Sequence, residues 1–139
     1  MSEAAIYQAQ NDVLVPKNAE LLSQKDGIRV YRVAHAKSTA VLKLFDQPKH
    51  LREIENYALL QKLDIPTLEI YEVFPSALLM EDLAASPHLR LAKEEDLHEP
   101  GLIRALAAWY RCLHSRGKTV AAEPASHWYS EADLVNQDL

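Results

Sequence analysis

The hydrophobic positions change period twice along the chain. From residue 20 to 45 they follow strand spacing. The runs Ile28-Arg-Val-Tyr-Arg-Val33 and Thr39-Ala-Val-Leu-Lys-Leu-Phe45 are rich in β-branched and aromatic residues, and the polar links Lys25-Asp26-Gly27 and His35-Ala-Lys-Ser38 bound them. Asp-Gly signals a hairpin because the tight turn needs a positive φ that glycine adopts freely. The pattern predicts an antiparallel meander over 20–24, 28–34 and 39–45. Residues 1–19 carry little pattern and are expected to form a lead-in with a short helix closed by Pro16.

Helical spacing takes over at Asp46-Gln-Pro-Lys49, where an aspartate cap and a first-turn proline predict a helix start. The amphipathic body covers 50–63, and Asp64-Ile65-Pro66 stops it, since the residue before proline avoids helical geometry. Two strand-like runs follow at 67–74 and 77–80, with Pro75-Ser76 as a tight turn between them. Beyond the connector Glu81-Asp-Leu-Ala-Ala-Ser-Pro87 the chain reads as helical or irregular. The strongest helix covers 99–116, with Leu102, Leu106, Tyr110 and Leu113 on one stripe and Gly117 as its C-cap. A further helix is expected from Tyr129, capped by Ser130. The class is α+β.

Composition narrows the functions. At 139 residues the chain fits one domain, or one and part of another. The net charge of −5 is spread evenly: residues 1–83 carry 9 basic and 12 acidic groups, residues 84–139 carry 6 and 8. No basic patch appears, which argues against a nucleic-acid partner. No apolar run approaches membrane-spanning length, and the N-terminus lacks a signal-peptide pattern. The single Cys112 excludes a disulfide framework and a thiolate zinc site. A cytoplasmic protein is expected.

Three features carry candidate chemistry. Lys43 shares a strand face with Val41 and Phe45, while Ala40, Leu42 and Leu44 belong to the opposite, core face. A lysine on an apolar strip is costly unless a carboxylate or bound anion meets it, although an edge lysine snorkelling to water is the bland alternative. Glu55 is four residues from both Leu51 and Leu59, along the packing stripe, and is the expected partner of Lys43. Glu53 competes, but its helical neighbours Lys49 and Tyr57 suggest a more solvated position. The junction Leu78-Leu-Met-Glu-Asp-Leu83 takes a buried strand into a polar segment, where free backbone groups can read a planar heterocycle. A plain linker is the alternative. His98-Glu99 opens a zinc-protease pattern, but position 102 is Leu and the second ligand is missing. Cys112 and His114 lie on different helix faces, so a core thiol is the simpler reading.

In this order the segments Gly27–Val33, Ala40–Phe45, Glu55–Leu63, Ile65-Pro66, Leu78–Leu83 and Ala105–His114 resemble the aminoglycoside phosphotransferase and choline-kinase-like family, a branch of the protein-kinase-like fold. The resemblance covers roughly seventy per cent of the chain. It implies a protein-kinase-like N-lobe, a five-stranded antiparallel sheet with one packed helix, followed by a helical segment. The implied organisation is a lead-in at 1–19, the N-lobe and hinge at 20–83, and a linker with the first helices of an incomplete C-lobe at 84–139. It implies that Lys43 contacts the α/β-phosphates of ATP or GTP and that Glu55 orients it. Val41 would lie against the base, Met80 at the back of the pocket, and the Glu81 carbonyl and Leu83 amide at the base edge. The acceptor would be a small-molecule alcohol.

The sequence departs from the family in two places. The turn at Gly27 has one glycine where protein kinases carry three. No His-Gly-Asp occurs, and Leu134-Val-Asn-Gln-Asp-Leu139 imitates it only faintly, with Asp138 at the carboxylate position. No catalytic residue and no Mg2+ ligand is therefore assigned here, and both are expected beyond this chain. Taken alone, the chain is expected to be inactive, and to self-associate through its exposed 102–113 helix or belong to a longer polypeptide. The alternative is a non-catalytic kinase-like regulatory or binding module. A third is an unrelated α+β interaction domain with a structural ion pair.

Overall fold

The computed structural model describes residues 8–9 and 12–121. The expected helix at Tyr129 and the Asp138 position lie outside the described residues. The elements run β1 (Gln8–Ala9), β2 (Asp12–Val13), β3 (Glu20–Lys25), β4 (Ile28–His35), β5 (Ser38–Phe45), α1 (Arg52–Lys62), β6 (Ile70–Phe74), β7 (Ala77–Glu81) and α2 (Pro100–Ala121). Short 3-10 turns at Pro48–His50 and Glu94–His98 precede the two α-helices. In the lead-in, β1 pairs antiparallel with β2 where a helix was expected.

β3 to β7 form one antiparallel sheet in the order β3-β4-β5-β7-β6. The β6–β7 hairpin folds back so that β7, the more apolar strand, sits between β5 and β6. Burial explains that placement: Ala77, Leu78, Leu79 and Met80 are all buried, whereas Tyr71 and Val73 of the edge strand β6 stand exposed. β6 is shorter than the expected 67–74 run, and a bulge between Ile70 and Glu72 interrupts its register with β7. The Asp26-Gly27 turn has positive φ at both residues, +52° and +79°, as a type I′ hairpin requires. A Cβ on Gly27 would approach Gln47 Cγ to 3.0 Å, so this turn also lies close against the β5–α1 link.

The alternation expected for β5 is present. Ala40, Leu42 and Leu44 join Val13, Val33, Phe74, Ala77 and Leu79 in one core cluster. On the other face, Phe45, Leu78 and Met80 pack with Val41 and with Leu51, Ile54 and Tyr57 at the α1 end of the sheet.

The ends of α1 differ from expectation at one side only. Asp46 does not cap it: its carboxylate takes a bidentate pair of bonds from Arg29, at 2.8 and 3.1 Å, and no side chain caps the helix. At the C-terminus, the Ile65 amide donates to the Leu60 carbonyl and the Asp64 amide to the Gln61 carbonyl, at 2.9 and 3.0 Å. With Asp64 at φ +53° this is a Schellman ending, and buried Ile65 supplies its apolar contact. α2 runs through Gly117 to Ala121, so Gly117 is an interior residue and not the expected cap. A helix-interior glycine costs only about 1 kcal/mol relative to alanine, which the turns on either side offset.

The chain divides into two compact units, Met1–Glu94 and Glu95–Leu139. The connector after β7 bonds back to the first unit, with Asp82 accepting from Arg32 and Thr39. In the second unit Leu102, Ile103, Leu106 and Tyr110 of α2 are exposed.

Candidate functional site

The register fixes which side chains share the Lys43 face. Val30 pairs with Lys43 and Arg32 with Val41 across β4–β5, while Leu78 and Met80 oppose Lys43 and Val41 across β5–β7. Residues opposite one another in a sheet point to the same side. The face thus holds an apolar strip, Val30, Val41 and Met80, with Lys43 towards one end and Arg32 and Thr39 towards the other.

Lys43 meets a carboxylate, and it is Glu53. Lys43 Nζ donates to Glu53 Oε1 at 2.6 Å, with side chains 23% and 31% exposed. Its ammonium also stands 5.6 Å from the centre of the Phe45 ring, its neighbour two residues on. Glu55 is exposed on α1 and is not brought to the lysine. The physical reason lies in which residue centres the packed stripe. Leu51, Ile54 and Tyr57 face the sheet, so Ile54 is the middle of that stripe. Its two sequence neighbours, Glu53 and Glu55, then flank it at about 100° on either side. The helix is laid on the sheet with the Glu53 flank towards β5. Tyr57, one turn after Glu53, registers the same arrangement: burial pushes its phenol up, and the Glu53 charge pushes it further.

The connector is braced far more closely than a plain linker. The Glu81 amide donates to the Glu69 carbonyl at 2.8 Å. The Glu81 carboxylate accepts from the Glu69 amide at 3.2 Å and from the Ser86 hydroxyl at 2.7 Å. Ser86 Oγ in turn accepts from the amides of His88 and Leu89. Asp82, only 4% exposed, is the centre of the second half. Its Oδ2 accepts from Arg32 Nε and from Thr39 Oγ1, both at 2.7 Å, and its Oδ1 from the Ala84 amide at 3.1 Å. The Asp82 carbonyl accepts the Ala85 amide at 3.0 Å. Arg32 reaches a second carboxylate, Glu20, at 3.1 Å.

Burial pushes the Asp82 carboxyl up, but hydrogen bonds from Arg32, Thr39 and the Ala84 amide outweigh it and hold it below the ordinary range. Asp46 is lowered as well, chiefly by the hydrogen bond from Arg29. Among the residues expected around a base, Met80 is buried, and Val41, Glu81 and Leu83 are half-buried. The Leu83 amide donates to no other described residue. The Glu81 amide, by contrast, is spent on Glu69, and in an extended strand the carbonyl leaves on the same side as the amide.

Sequence reasoning missed Asp82 and its partners. The signal was available in the strand period: Asp82 continues the Leu78, Met80 alternation and so falls on the Lys43 face. A cleft of about 480 Å³ lies elsewhere, at the far end of β4 and β5 around the Arg29–Asp46 pair, Gln47, Pro48 and Ser76. Lys43 does not line it. Among the described residues no group of three His, Cys, Asp or Glu side chains is placed to hold a metal. No helix among them is long and apolar enough to cross a membrane.

No family model matches the chain, and no curated protein matches it.

Proposed function

We propose that the Lys43 face binds a nucleotide, as the nucleotide-binding part of an ATP-dependent phosphotransferase acting on a small-molecule hydroxyl in the cytoplasm. The observation that carries this reading is the Lys43–Glu53 pair. A central-strand lysine, set in an apolar strip, is held by a carboxylate from α1, which packs on that face. The sheet order β3-β4-β5-β7-β6, with α1 between β5 and β6 in the chain, is compatible with a kinase-like N-lobe. In this reading Lys43 neutralises phosphate charge, Val41 and Met80 supply an apolar bed for the base, and the Leu83 amide meets the base edge. Glu53 takes the orienting role first expected of Glu55.

ATP or GTP fits this set of groups: one cation, an apolar strip and an unspent amide. Mg2+ has no convergent ligand set among the described residues. No His-Gly-Asp carboxylate occurs in the sequence, so the chain by itself is expected to bind nucleotide without transferring phosphate.

Titration calorimetry with ATP and GTP tests the reading, comparing wild type with Lys43→Met. Binding that weakens at least tenfold in the variant is the expected result. Absence of binding by folded wild type, or equal binding by both, would remove the case and favour a structural ion pair.

A further inference from the structure

We infer that Asp82 is a positioning residue for the base end of this face, holding the connector so that the Leu83 amide is presented to a planar purine-type heterocycle. The inference rests on the nucleotide reading above and goes beyond it by assigning base recognition to a side chain that never touches the base.

Between residues 81 and 85 the backbone donors are used unequally. The amide of Glu81 is satisfied by Glu69, that of Ala84 by the Asp82 carboxylate, and that of Ala85 by the Asp82 carbonyl. The Leu83 amide, by contrast, has no acceptor among the described residues. The loop therefore turns around Asp82 and leaves the Leu83 amide free, three residues after Met80.

Asp82 is anchored to the sheet at two points, Arg32 on β4 and Thr39 on β5, each at 2.7 Å. Both anchors lie on the Lys43 face, and they fix the connector relative to the apolar strip on which a base would rest. A donor held in place before binding costs less ordering on binding than a mobile one. A heterocycle with a ring-nitrogen acceptor at its edge and two apolar faces is the complementary ligand. Arg32 itself is committed to Asp82 and Glu20, so it has no role here as a phosphate clamp.

The test separates base from phosphate. Binding of ATP, GTP and inorganic tripolyphosphate is measured by calorimetry on wild type, Asp82→Asn, Thr39→Val and Lys43→Met, with circular dichroism to confirm folding. Losing one charge-assisted hydrogen bond at the anchor is expected to weaken ATP by about tenfold. Tripolyphosphate should stay within about twofold of wild type in Asp82→Asn and Thr39→Val, and weaken only in Lys43→Met. Where Asp82→Asn does not fold, Thr39→Val, which removes an anchor without touching the carboxylate, carries the comparison. Equal losses for ATP and tripolyphosphate would show a merely structural Asp82, and unchanged ATP affinity in folded variants would overturn the positioning role alone. Wild type that binds no nucleotide would overturn the nucleotide reading itself.

Discussion

Glu53 and Glu55 stand on opposite flanks of the α1 stripe, and a pair of double-mutant cycles distinguishes them. The perturbations are Lys43→Met, Glu53→Gln and Glu55→Gln, singly and in pairs with Lys43→Met. At the observed 2.6 Å, Coulomb attraction at an effective dielectric of about 20 is about 6 kcal/mol. Most of it is offset, because both side chains lose hydration and two long rotamer-rich chains are fixed in one geometry. With 23% and 31% of the side chains still exposed, the net coupling expected for Lys43–Glu53 is about 1 kcal/mol at low salt. The Lys43–Glu55 cycle should give less than about 0.3 kcal/mol, the level of additivity between separate sites. Urea unfolding at neutral pH, followed by circular dichroism, is the assay. With a slope of about 1–1.5 kcal/mol per molar, a coupling of that size displaces the midpoint by about 0.7–1 M. A larger coupling to Glu55 than to Glu53 would refute the placement of α1. Zero coupling to both, with unchanged slopes, would refute the pair as an energetic feature of the fold.

Two further outcomes follow from the turns and the carboxylates. Ala36 sits at φ +49° in the β4–β5 turn, so Ala36→Gly relieves a left-handed strain of about 1 kcal/mol, partly offset by the greater freedom of unfolded glycine. Thermal unfolding should show a gain of up to about 1 kcal/mol, and a loss would mean that the alanine methyl is itself packed. Asp82 has a folded carboxyl held below its unfolded value of about 3.9, so it contributes stability above that pH, and the contribution fades as pH falls through the folded value. The stability deficit of Asp82→Asn should therefore shrink between about pH 5 and pH 3, and a deficit constant with pH would show that the carboxylate charge is not what stabilises the connector.

The sequence by itself determined the local elements and their faces. Asp-Gly specified the β3–β4 turn because its positive φ values exclude most other pairs. Strand alternation assigned Leu42 to the core and Lys43 to the opposite face. Period and punctuation located the end of α1 to within one residue, whereas the cap expected at Asp46 lies five residues before Leu51, where the helix begins. Tertiary structure decided what periodicity leaves symmetric. Ile54 centres the packed stripe, so its flanking glutamates are equivalent on the isolated helix, and only the way α1 lies across the sheet brings Glu53 to Lys43. Asp46 looked like a cap because capping is a local rule. Arg29, seventeen residues earlier in the chain, took its carboxylate once β4 and β5 had paired. Asp82 reads as one polar residue in a connector until β4 and β5 lie side by side. Their pairing then places Arg32 and Thr39, fifty and forty-three residues away, around a carboxylate that is buried because they satisfy it.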